Sequence, residues 1–259
     1  MKSAEGKRFA YEKAQLIEVI CQLRYPTILS IEAKEPADFQ DTVREAFPRY
    51  VCQVEKPAGQ QGEGVRNHTF LTEDGKSKLS MTKNFIALST MNYSDWESFA
   101  GLLDEPLGQF IRIYRPAYFE RVGLRYVNGV SREKLELRGR RWNDLFQPQY
   151  LGPLDDDQIN EAEVSKCATE VEMKLGGRCA LKLNAGPGLI NRTVMTPGGV
   201  QTVREPEVRF IFDQDVFVSG NVKLPTVMET LEELHGHADR VFSEAITDVL
   251  HEAMSPVEL

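Results

Sequence analysis

The sequence predicts an α+β protein in which antiparallel sheet is covered by long helices. Three observations carry that expectation. Segments rich in β-branched residues outnumber helical ones. The two long helical patterns each close a run of strands instead of alternating with single strands. The order β-α-β-β-β-α can also be read twice along the chain.

LIEVICQLRYP (16 to 26) is β-rich, stops at a proline and reads as a buried strand. PADFQDTVREAF (36 to 47) opens with Pro36 and Asp38 and carries Phe39, Val43, Ala46 and Phe47 at helical spacing. GQQGEG (59 to 64) has the composition of a loop. Residues 67 to 93 alternate as a strand meander with a hairpin turn at Asp74-Gly75. Ser94 and Glu97 then form a capping box for a helix whose apolar face includes Trp96, Phe99, Leu103, Leu107 and Phe110.

After Pro116 the order restarts. AYFERVGLRYVNGV (117 to 130) is a strand and RRWNDLF (140 to 146) a short helix. Residues 161 to 175 and 178 to 186 pair about Gly176-Gly177, and EVRFIFDQDVFVSG (207 to 220) is a further strand. One helix is expected from about Pro225 to Ala253. Leu23-Arg24-Tyr25 and Leu124-Arg125-Tyr126 end the first strand of each half, so 14–115 and 116–254 read as half-repeats within one domain spanning 1–259.

A chain of 259 residues, 41% hydrophobic and 27% charged, builds a core without disulfide or metal. Its net charge of −8 opposes general attraction to phosphate backbones or anionic lipid, so neither nucleic acid nor membrane is an expected partner. No apolar run approaches the roughly 20 residues of a membrane helix. The charged start, MKSAEGKRFAYEKAQ, lacks a signal peptide's apolar stretch. With four cysteines and no C-x-x-C pair, this places the chain in the cytoplasm as an expectation.

HGHADRVFSEAITDVLHE (235 to 252) holds three of the four histidines. Helical residues advance about 100° each, so His235 and His237 point about 200° apart and cannot share an ion. The wheel puts His235 near the apolar stripe, His237 on its flank and His251 toward solvent. A core role is therefore expected for His235, and no metal site or cofactor is expected anywhere.

FDQD places Asp213 and Asp215 on one strand face, where a carboxylate pair can hold Mg²⁺ for phosphodiester cleavage. The simpler reading is a solvent face with Asp213 paired to Arg209. Arg138, Arg140, Arg141 and Trp142 make a basic stretch with one aromatic, a pattern that can grip a nucleic-acid backbone. Glu133, Glu136 and Asp144 interleave with it, and a solvated loop is the simpler reading. AGPGLIN (185 to 191) and TPGGV (196 to 200) match no phosphate loop and read as turns. Arg24 with Tyr25 and Arg125 with Tyr126 are a candidate contact for an anion or a partner if the halves are symmetric.

LIEVICQLRYP, YFERVGLRYVN and the C-terminal LHGHADRVFSEAITDVLHEAM together resemble a sporadically distributed bacterial protein family of about this length. That family carries no assigned activity to transfer. Its scattered occurrence implies, by association, a mobile or defence-linked locus. The expected function is a non-catalytic interaction or regulatory module that binds another protein or itself. The alternatives are a small-ligand binder with its C-terminal helix over a curved sheet, and the Mg²⁺-dependent nuclease of Asp213 and Asp215.

Overall fold

A computed structural model describes residues 9–55, 64–196 and 199–258. The strands are β1 (Phe9–Tyr11), β2 (Leu16–Arg24), β3 (Arg49–Glu55), β4 (Val65–Leu71), β5 (Ser77–Thr82) and β6 (Phe85–Thr90). Then come β7 (Phe119–Val130), β8 (Thr169–Gly176), β9 (Cys179–Thr196), β10 (Gly199–Val222) and β11 (Pro256–Glu258). The helices are α1 (Leu29–Ala33), α2 (Ala37–Val43), α3 (Trp96–Tyr114), α4 (Val227–Ala245) and α5 (Asp248–Ala253).

The α+β expectation holds. Nine strands form one antiparallel sheet in the order β3-β4-β5-β6-β2-β7-β10-β9-β8, and β1 pairs with β11 in a separate ribbon. Strand periodicity sorts the side chains by face. Val19, Cys21 and Leu23 of β2, Val122, Leu124 and Tyr126 of β7, and Phe210, Phe212 and Val216 of β10 are all buried on the face the helices cover. Phe110 of α3 packs 4.9 Å from the Tyr25 ring, and Phe39 of α2 packs 5.4 Å from Phe70. Leu231, Leu234, Ala238 and Val241 form the buried stripe of α4 against β7 and β10. The same alternation sends Arg121, Arg125, Asp213 and Asp215 to the opposite face, away from the described helices.

Several local expectations give way. The C-terminal helix is not continuous: it breaks at Ile246, which bridges to Phe146. Thr247 then caps α5 by accepting from the Leu250 N–H, while its own hydroxyl donates to the Asp144 carbonyl. An isoleucine and a threonine with a strand-like partner beside them prefer the extended pairing to another helical turn. Asp95, not Ser94, caps α3: one carboxylate oxygen accepts from the Ser98 N–H and the other from its hydroxyl. Glu161–Glu163 is a 3₁₀ turn rather than strand.

AGPGLIN runs inside β9 and is no turn. β8 reaches only Ala185, so Pro187 lies where β9 has β10 on one side and is open on the other, the kind of edge where a strand tolerates proline. Thr196, Gly199 and Val200 of TPGGV likewise belong to strands, whereas its residues 197 and 198, like 59–63 of the glycine loop and 1–8 of the charged start, lie outside the described residues. No helix among those described is long and apolar enough to cross a membrane.

Candidate functional site

The covered face of the sheet is not filled throughout. A cavity of about 130 Å³ lies between the sheet, α4, the start of α3 and the segment from β1 into β2. Tyr126 and Asn128 of β7 and Gln214 of β10 form its floor, His235, Ala238 and Phe242 of α4 one wall, and Tyr93 and Trp96 another. Phe9, Tyr11 and Leu16 close the remaining side. The β1–β11 ribbon holds that side in place, pairing Phe9 with Glu258 and Tyr11 with Pro256.

His235 is the hinge of the polar network here. The Tyr126 hydroxyl lies 2.9 Å from its Nδ1, and Trp96 stacks on its ring at 4.8 Å with an interplanar angle of 8°. The Trp96 indole N–H donates in turn to Glu232 of α4. The Tyr93 ring meets Tyr126 edge-on at 5.7 Å. Burial drives the Tyr126 phenol well above its ordinary pKa, and neighbouring Tyr93 adds to the shift. Tyr93 itself is pushed up to about 12, chiefly by burial. Both phenols stay protonated at any physiological pH, and the Tyr126 hydroxyl shares one hydrogen bond with His235 Nδ1 whose donor is set by the imidazole tautomer.

Gln214 gives this cavity its chemistry. Its side chain is 2% exposed, and its amide oxygen has no hydrogen-bond partner among the described residues. A buried acceptor left unmade costs about 1–3 kcal/mol, so the position asks for a donor. Carboxylates stand around the opening, at Asp95, Glu97 and Asp239, and among the described residues no lysine or arginine lines it.

The residues singled out in the sequence distribute differently. Tyr126 enters the cavity, but Tyr25 is buried in the other half of the sheet, donating to the Thr82 and Phe85 carbonyls. Arg24 and Arg125 do not converge, because Arg24 opposes Arg121 and Arg125 opposes Ile20. Arg24 donates to Gln22, while Arg125 grips Asp213 through two contacts of 2.7 and 2.5 Å. Asp213 therefore pairs with Arg125 and not with Arg209, which is held by Glu205 and Glu207. Asp215 accepts two bonds from Arg121 at 2.9 and 2.7 Å. Arg121 reaches it by lying across Gly123, where a Cβ would come within 2.2 Å of the guanidinium. Each carboxylate of FDQD is thus neutralised by its own arginine, an arrangement unlike an open Mg²⁺ site.

The basic stretch also disperses. Trp142 is 1% exposed, sandwiched by Arg132 and Phe210, and cannot stack a base. Arg141 is tied to Asp157 and Arg138 to Glu133, leaving Arg140 on the surface beside them. His251 is not solvent-directed, because the break before α5 resets the helical phase: its Nδ1 lies 2.9 Å from the Tyr11 hydroxyl.

Sequence reasoning missed Gln214, Asn128, Tyr93 and the β1 arm. Gln214 carried one usable signal: a polar residue at an even position of β10, in phase with Phe210, Phe212 and Val216. No protein-family model matches the chain, and no curated protein matches it.

Proposed function

We propose that this protein binds a small molecule in the cavity beneath α4, the site of Gln214, Tyr126 and His235. The observation that carries the reading is the buried, unpartnered Gln214 oxygen on the floor of an aromatic-walled space. A volume of about 130 Å³ is close to that of engineered cavities that take up a benzene-sized guest. Aromatic walls supply area, the amide oxygen asks for a donor, and the carboxylates at the opening repel anions. Those features favour a ring-sized amine.

Calorimetric titration of the full chain with benzylamine, benzyl alcohol and benzoate tests this. The amine should bind most tightly, the alcohol more weakly, and benzoate not at all. Equal binding of amine and alcohol would leave the cavity reading standing and remove the charge preference. If none of the three binds at millimolar concentration, the cavity is not a ligand site.

A second reading, pairing with another copy of this chain, is supported by β3. It is an edge strand of the sheet with Val51 43% and Val54 59% exposed, the kind of edge to which a further strand adds. Sedimentation at rising concentration should show dimer that Val54→Lys removes; a monomer throughout excludes it.

A further inference from the structure

His237 points away from the cavity, and the structure gives it neighbours that no linear motif shows. Glu233 lies one turn before it on α4, hence on the same side, with its Oε1 3.8 Å from His237 Nε2. Cys179 opens β9 opposite Val218, on the sheet face that α4 covers. One ligand atom from each of Cys179, Glu233 and His237 falls within 4.8 Å of the other two. Burial, with the Glu233 carboxylate beside it, pushes the Cys179 pKa up to about 11.

We infer that Cys179, Glu233 and His237 form a binding site for a divalent transition-metal ion of the zinc type. Bonds of about 2.0–2.3 Å to sulfur, nitrogen and oxygen put tetrahedral ligands roughly 3.5 Å apart. Small side-chain rotations therefore close the trio on an ion. Thiolate and imidazole select zinc or cobalt over magnesium or calcium. Coordination replaces the thiol proton, which leaves to solvent, and the fourth position is open to water. Arg240 donates to His237 Nδ1 at 2.9 Å in the ion-free arrangement. Binding through Nε2 puts the imidazole proton on Nδ1, so this exposed arginine swings aside. The ion would fasten α4 to β9, and α4 is also the helix that places His235 over the cavity. The metal site stands whether or not that cavity takes a ligand.

Titration of the full chain with Co²⁺, followed by Zn²⁺, decides it. One equivalent of Co²⁺ should give thiolate-to-cobalt charge-transfer absorption that Zn²⁺ abolishes, and Zn²⁺ should raise the Tm. Cys179→Ser should remove the absorption, and His237→Asn should weaken binding by at least about tenfold, the loss expected even for groups that only support a ligand. Cys52→Ser, which removes the exposed thiol, should leave it intact. A wild-type protein without the band, a band that survives Cys179→Ser, or a band that Cys52→Ser removes would each overturn the site. Should Cys179→Ser fail to fold, Glu233→Gln with His237→Asn decides the matter, since both side chains reach solvent: unchanged binding overturns the site and weakened binding upholds it.

Discussion

Tyr126 and His235 show how one buried hydrogen bond ties helix to sheet. The Tyr126 hydroxyl sits under α4 within hydrogen-bond distance of the imidazole, and Trp96 covers the ring. Tyr126→Phe removes that bond to His235 Nδ1 and should destabilise the protein by about 1–2 kcal/mol in denaturant titration. Gln214 should behave in the opposite way. Gln214→Met replaces an acceptor without a partner by an apolar chain of similar length, so the ligand-free protein should keep its stability or gain about 1 kcal/mol. The same change should abolish amine binding. A marked loss of stability would mean that the amide is already satisfied within the fold. His235 and His237 were legible as a pair pointing apart, because helical phase is local. Their partners were not, because β7 lies more than 100 residues before His235 and Cys179 of β9 more than 50 before His237.

Among the elements, α4 and β9 differ most from what their sequences suggest. Periodicity alone carries the last helix through to Ala253, since Val241, Phe242, Ala245, Ile246 and Val249 keep the apolar phase. The break arises from residues 145 to 147, whose backbone pairs with Ala245 and Thr247. Thr247→Ala removes both the α5 cap and the bond to Asp144, and should cost about 1 kcal/mol. In β9 the glycines of AGPGLIN read as turn residues, yet Gly186 is there for close approach. A Cβ at that position would lie 2.3 Å from the Cys167 carbonyl oxygen. Gly186→Ala forces backbone apart and should lower stability by about 1–3 kcal/mol; calorimetry showing an unchanged Tm would contradict that packing.

For the whole molecule, one sheet carries two chemically different faces. Hydrophobic alternation settles which face the helices cover, and the charged positions follow onto the other, where the Arg121–Asp215 and Arg125–Asp213 pairs lie. At the β2–β7 junction Gln22 opposes Gly123, with Arg24 two residues beyond the first and Arg125 two beyond the second. That placement relates the two Leu-Arg-Tyr runs symmetrically across the β2–β7 pair. The stability of the whole should depend on pH through His68. It is fully buried and bonded to Tyr50, and burial lowers its pKa below 6.5; Arg66 adds to the lowering, while the Ile31 backbone and the carboxylates of Glu32 and Glu35 oppose it. The unfolded chain then binds the proton more readily, so stability should fall as pH drops below about 6.5. His68→Gln should flatten that part of a Tm-against-pH profile. The sequence by itself determined the α+β class, the buried stripe of α4 and the divergence of its histidines, because period and helical phase are local properties of the chain. Only the tertiary structure decided that Gln214 lies on a cavity floor, that Asp213 answers to Arg125, and that Cys179 reaches His237. Strand order and register bring those residues together across long stretches of chain, and no short-range pattern encodes either.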